Sequence, residues 1–326
     1  MLNGTPAQLL RNKLASLQSQ QPLCILGAAV IDVVVSTPRL PSSGDDIAVE
    51  EKGIHVGGCA LNVAIALKRL GIDSVNALPL GNGRWADLVR SDLASRGIST
   101  ALPVDPTMDN GWCMALVEPC GERTFISVTG VEDNWSQQTL ASLGQLIGYI
   151  YVSGYQLAGR SGELLLTWLE QQTDATVMVD FGPRLLDISD AYMTRLMALN
   201  PIVTVNRDEA TALGMDGSVA AFALSWVEKH GGQLIVRLDK DGAYVLCRDN
   251  NGNLWGEIVE PFDATVVDTI GAGDSHAGAT LAGLASGWSL AESALLGNAV
   301  ASYVVSQQGG DCAPCSDTLS DYLSRY

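Results

Sequence analysis

The residues of this chain best suited to chemistry stand together near its C-terminal end, in Asp268-Thr269-Ile270-Gly271-Ala272-Gly273-Asp274. The run passes directly into Ser275-His276-Ala277-Gly278-Ala279-Thr280-Leu281-Ala282-Gly283-Leu284, a small-residue stretch that reads as a helix. Backbone N–H groups at a helix N-terminus lack intrahelical partners and point at an anion, and the helix dipole adds partial positive charge. Glycine suits such a place, because a side chain would crowd a phosphate. Asp274 falls in the first turn, where a carboxylate can take the proton of an attacking alcohol while the loop holds the charge spreading over a transferred phosphoryl group. An ordinary glycine loop with an acid favoured by the helix dipole would carry the same tetrapeptide, so other parts of the chain have to decide.

A second glycine-led helix start lies far upstream, at Gly57-Gly58-Cys59-Ala60-Leu61-Asn62-Val63-Ala64, and continues to Gly71. Gly57-Gly58 with Asn62 four residues on, then Gly71 and Gly81, and Asp-Thr-x-Gly-Ala-Gly-Asp late in the chain, together resemble the PfkB/ribokinase family of small-molecule kinases. The resemblance runs from about residue 23 to about residue 315. No Gly-x4-Gly-Lys-Ser/Thr occurs, so the helix-start loop is the expected phosphate cradle.

The resemblance implies an α/β fold: a three-layer α/β/α sandwich with a mostly parallel central sheet and a small β lid. It implies ATP-dependent phosphorylation of a hydroxymethyl group on a sugar or sugar-like metabolite, with Asp274 as general base and Gly271, Ala272 and Gly273 as anion hole. Asp32, Gly57, Gly58, Asn62 and Arg184 would meet the acceptor. A carboxylate accepts from two neighbouring hydroxyls, and an amide both donates and accepts, which suits a vicinal diol. Asn206, Glu209, Arg237, Gly242, Asn298 and Gly309 would border the nucleotide, with Glu209 toward Mg2+ through water. Asp268 and Gly309 are the positions expected at a monovalent cation such as K+. A homodimer is implied as well.

Several of these residues have a second reading. Asn206 and Glu209, three apart at a helix start, also spell a capping box that needs no ligand. Asp180-Phe181-Gly182-Pro183-Arg184 stands where many relatives carry Asp-x-Asn-x-Arg; Gly182 replaces the Asn, and Arg184 fits a surface ion pair as readily as an anion. His276 takes a place where many relatives have Phe and reads as a core or helix-surface histidine. A nucleoside presents the same ribose diol, and Trp112 or Phe125 would be the aromatics to stack on its base. A non-catalytic sugar or nucleotide sensor is the alternative from another class.

The elements that must position these groups show in the hydrophobic pattern. Residues 23–35 form an apolar, β-branched run that reads as one buried strand interrupted by Asp32. Short apolar strands at 148–153, 176–180, 202–206 and 234–238 are separated by helical patterns, which argues for a parallel sheet covered on both faces. Ligands bind outside the carboxyl ends of such strands, where Asp32, Asp180, Asn206 and Asp239 fall. Residues 36–56 and 110–130 break the alternation and are the expected lid, the second as a hairpin around Glu118-Pro119-Cys120-Gly121-Glu122. Residues 1–22 are an expected helical prefix to a kinase domain over 23–326; Leu9, Leu10, Leu14 and Leu17 give residues 7–20 an apolar stripe suited to docking.

Bulk composition narrows the partners. The 326 residues carry 36 acidic against 19 basic side chains, a formal charge of -17, which repels nucleic acid. Backbone amides and Mg2+ still allow an anionic nucleotide. Seven cysteines, an odd number, suit reduced thiols, and Cys312-Ala313-Pro314-Cys315 has no second Cys-x-x-Cys or paired histidine beside it. The prefix has no signal-type apolar core and no run is long enough to span a bilayer, so a cytoplasmic protein away from membranes is expected.

Overall fold

The computed structural model describes residues 5–249 and 251–326. Twelve strands are present among them: β1 (Leu23–Leu26), β2 (Val30–Ser36), β3 (Glu50–Gly57), β4 (Val75–Ala77), β5 (Trp112–Val117), β6 (Arg123–Val128), β7 (Gly148–Ser153), β8 (Ala175–Asp180), β9 (Ile202–Val205), β10 (Gln233–Arg237), β11 (Ala243–Arg248) and β12 (Leu254–Val259). Eight of them form one sheet in the order β12-β11-β10-β9-β8-β7-β1-β4. From β4 to β10 every pair is parallel; β11 and β12 add an antiparallel edge.

Alternate residues of each central strand enter two different cores. Leu23, Ile25, Tyr151, Met178, Ile202 and Ile235 face one side, and Cys24, Leu26, Ile150, Val152, Val177, Val179, Val203 and Val236 the other. Both faces are therefore covered, which is why the strands read as unbroken apolar runs. The first core is closed by helices Cys59–Arg69, Ala272–Ala285 and Leu290–Val305, the second by helices Gly162–Leu169, Asp190–Met197 and Val219–His230.

The remaining four strands make a second sheet in the order β3-β2-β5-β6. The hairpin expected around residues 118–122 is there, with β5 and β6 antiparallel and the Glu118 N–H donating to the Glu122 carbonyl at 2.9 Å. The single strand expected over residues 23–35 is not: β1 belongs to the large sheet and β2 to the small one. The break falls at Gly27, where helix Cys59–Arg69 comes so near that a Cβ would stand 2.7 Å from the Ala60 methyl. The small sheet consequently begins at Val30, six residues before the expected lid boundary.

The prefix helix spans Pro6–Leu14, shorter than the apolar stripe suggested, and starts with a capping box between Thr5 and Gln8. Ala7, Leu10 and Leu14 are buried in the first core, and Lys13 pairs with Glu292. The prefix is thus packed into the body. No helix among the described residues is long and apolar enough to cross a membrane.

Candidate active site

Two helix starts converge at the carboxyl edge of the large sheet. Helix Ala272–Ala285 is built of small buried residues, and a Cβ at Gly278 would lie 2.9 Å from the Ala66 methyl of helix Cys59–Arg69. Only glycine permits that approach. Asn62 is one turn before Ala66 and Asp274 one turn before Gly278, so the close contact brings Asn62 and Asp274 together; the Asn62 amide donates to the Asp274 carboxylate at 2.8 Å. The backbone enters this helix through Gly271 in the left-handed region, φ 69°, where a Cβ would collide with the Gly310 carbonyl. Gly58 has φ 111° at the start of the other helix, where a Cβ would be 2.6 Å from the Ala28 carbonyl.

Burial raises the proton affinity of Asp274, and the Asp180 charge adds to it; donation from Asn62 and from the Cys59 thiol, with the Arg237 charge, pulls the other way. The outcome is a carboxyl titrating above its ordinary value, nearer the working range of a general base. Cys59 is itself pushed well above the usual thiol range by burial and by the neighbouring carboxylates, so it stays protonated and donates.

Beneath the Gly271–Gly273 turn lies a buried charge cluster. Arg237, the last residue of β10, makes a two-pronged pair with Asp180, the last residue of β8, at 2.7 and 3.2 Å. It approaches Glu209 at 3.7 Å and the Gly273 carbonyl at 3.4 Å. Burial opposes the guanidinium charge, but Asp180 and Glu209 outweigh it and hold Arg237 ionised. Asn206 and Glu209 form the full capping box: the Asn206 N–H and amide both donate to Glu209 at 2.9 Å, and the Glu209 N–H donates back at 2.8 Å. Burial, then Asp180, raises the Glu209 carboxyl.

On the second sheet Asp32 sits in β2 opposite His55 of β3 and Cys113 of β5. The Cys113 thiol donates to Asp32 at 2.8 Å, and the other carboxylate oxygen lies against Gly57, which has no room for a side chain. Burial raises the Asp32 carboxyl against the opposing pull of Cys113 and His55.

Other expected residues are placed differently. Arg184 is half exposed, pairs with Asp187 at 3.0 Å and lies over the Tyr155 ring. The Asn298 amide is committed to the carbonyls of Val259 and Glu260, and its oxygen meets the buried His276 ring at 3.2 Å. Gly242 turns the chain between β10 and β11, where a Cβ would collide with the Val259 carbonyl. Trp112 stacks on Trp85 at 5.8 Å and so serves packing, while Phe125 is 55% exposed on the outer strand of the small sheet.

Sequence reasoning missed Cys59, Cys113 and Tyr151. The Tyr151 hydroxyl is buried without a hydrogen-bond partner among the described residues, and burial with Asp180, Cys59 and Asp274 nearby raises its proton affinity. Their only signal was position, since each lies in an apolar run that reads as core.

At Gly271 a glycine opens the helix start without a side-chain cap. Among the described residues no group of three or more His, Cys, Asp or Glu side chains is placed to hold a metal ion. Glu209, expected toward Mg2+, has both carboxylate oxygens engaged by Asn206. Asp268, expected at a monovalent cation, is engaged by protein groups. It accepts from the Ile270 and Gly309 N–H groups at 3.1 and 3.2 Å and pairs with Arg123 at 3.2 Å.

These two sheets, and a phosphate-ready helix start with its acid, describe a phosphotransferase acting on an alcohol group. The chain belongs to the pfkB family of carbohydrate kinases, whose model matches residues 20–316. It is 50% identical over 315 residues to an uncharacterized sugar kinase, YegV, of Escherichia coli K12, covering 95% of this chain and 96% of that protein. The fold is that of ribokinase from Thermotoga maritima, at TM-score 0.75 and 19% identity over 94% of this chain and all of that one. It also matches phosphofructokinase-2 from Escherichia coli, solved in complex with potassium, at TM-score 0.69 and 21% identity over 94% and 100%.

Proposed function

We propose that this protein transfers the γ-phosphoryl group of ATP to a hydroxymethyl group of a sugar or sugar-like metabolite. The observation that carries the reading is the meeting of Asn62 and Asp274 at the open start of helix Ala272–Ala285. Asp274 takes the acceptor's hydroxyl proton as the new O–P bond forms and the bond to the departing diphosphate oxygen breaks. The N–H groups of the Gly271-Ala272-Gly273 turn would hold the charge on the transferred group, and Asn62 would keep the base aimed. Glu209 would be the residue toward Mg2+, through water, and the ion when bound would supply charge that offsets the phosphates.

Asp32 and Gly58 would hold the acceptor's hydroxyls. The charged groups named around this cleft are carboxylates, apart from Arg237, which is already engaged, Arg184, paired with Asp187, and Arg123, paired with Asp268. An uncharged polyol therefore suits it better than an anionic acceptor. The small sheet would act as a lid that excludes water from the transfer. Ile54, Phe125, Ile126 and Val128 expose apolar surface on that sheet, which supports a homodimer joined there, and we place the enzyme in the cytoplasm.

Mg-ATP turnover across a panel of sugars, sugar acids and nucleosides, with Asp274→Asn as control, tests the proposal. Turnover on one acceptor that collapses in the variant supports it. Turnover confined to nucleosides would replace the acceptor class, and acceptor binding without turnover would point to a sensor.

A further inference from the structure

Arg123 stands on β6 of the small sheet, yet its guanidinium reaches Asp268, 145 positions later and three residues before the anion loop. The Asp268 side chain is only 9% exposed, and the two N–H groups and Arg123 use both of its oxygens. Those donors, with Arg123, hold its carboxyl below the ordinary value despite burial. Asp268 thereby fastens the 309–310 turn to the 268–270 segment, and the Gly310 backbone presses directly on Gly271. A monovalent cation binding Asp268 would have to displace a guanidinium that cannot lose its proton, and two positive charges at one carboxylate repel.

We infer that Arg123 supplies, from the small sheet, the fixed positive charge that orders the anion loop, in place of a bound monovalent ion. Arg123 is a positioning residue: it touches neither phosphate nor acceptor, and it acts through Asp268 on Gly271. Because the charge is carried by the small sheet, the loop is ordered when that sheet is seated. The inference rests on the kinase reading for its kinetic consequence, and on the ion pair alone for its binding consequence.

The test uses the full chain in potassium chloride and in choline chloride at equal ionic strength. Wild-type kcat is expected to agree within about twofold, and potassium or thallium(I) is expected to leave the melting temperature unchanged. In Arg123→Ala, kcat in choline should fall roughly tenfold with little change in acceptor KM, and potassium should restore part of it. Arg123→Lys, which keeps the charge, should retain most of the rate in choline. Potassium activation of the wild type by fivefold or more, or a saturable rise in its melting temperature with thallium(I), would overturn the inference. So would an Arg123→Ala enzyme as fast as the wild type in choline. Absence of turnover on every acceptor would sink the kinase reading, while the thallium(I) titration would still decide the cation question.

Discussion

The amide of Asn62 and the carboxylate of Asp274 meet at 2.8 Å across 212 residues of chain, each in the first turns of its own helix. In the proposed reaction the pair works as a unit: one group removes a proton, and the other fixes where the proton is taken. Asp274→Asn should lower kcat by about 10²- to 10⁴-fold, and Asn62→Ala should lower it less while leaving ATP KM nearly unchanged. Steady-state kinetics on the acceptor found by screening checks both.

The raised Asp274 carboxyl has opposite consequences for activity and stability. A base must be ionised, so kcat/KM should fall as pH drops through a value above the usual carboxylate range. A folded-state pKa above the unfolded one means that the native protein binds the extra proton. This contribution to stability is therefore fully present below the ordinary carboxylate value and is lost as pH rises through the raised one. Asp274→Asn should accordingly melt higher than the wild type at pH 7, by about 0.5–2 kcal/mol, although it is inactive. An unchanged or lower melting temperature would contradict the burial argument.

Arg237 neutralises Asp180 and Glu209 under the anion loop. Arg237→Met leaves two buried carboxylates unpaired and should destabilise the fold by about 3–5 kcal/mol. Adding Asp180→Asn should recover much of that stability in urea unfolding, which separates lost neutralisation from lost packing.

His276 is buried between Thr280 and Asn298, and burial, with the Arg237 charge, depresses it to about 3. The unfolded chain binds the proton first, so between about pH 6.5 and 3 this residue makes stability fall with decreasing pH. His276→Phe should flatten that slope in acid denaturation curves. A slope that is unchanged would place the acid sensitivity elsewhere.

Gly271 adopts φ 69° against the Gly310 backbone. Gly271→Ala meets both a strained dihedral and a collision, and should cost about 1–3 kcal/mol of stability. Turnover should fall further than stability does, because the displaced loop is the proposed anion site; melting and kinetics on the same sample show the difference.

Much of this was legible in the sequence because it was local. The Gly-Ala-Gly-Asp turn, the Gly-Gly helix start and the alternation of strand and helix each follow from residues adjacent in the chain. Asn206 and Glu209 were legible but ambiguous, since the same spacing serves a cap and a ligand site, and the structure shows the cap fully formed. The sheet switch at Gly27 was hidden because residues 23–35 are apolar on both sides of it, and only the approach of Ala60 marks the break. Arg237 with Asp180, and Arg123 with Asp268, were beyond reach: strand order in space brings them together, and no spacing in the sequence encodes it.

The prefix also bears on how the molecule is made. The Gln20 and Gln21 N–H groups donate to the Ala285 carbonyl, at the far end of the helix that begins beside Asp274, and Leu10 is buried in the core that helix helps to build. This segment therefore meets the Ala285 carbonyl only once the chain has been synthesised past that residue. Its apolar stripe waits in solvent, and closure of the contact with the longest sequence separation is among the last events of folding.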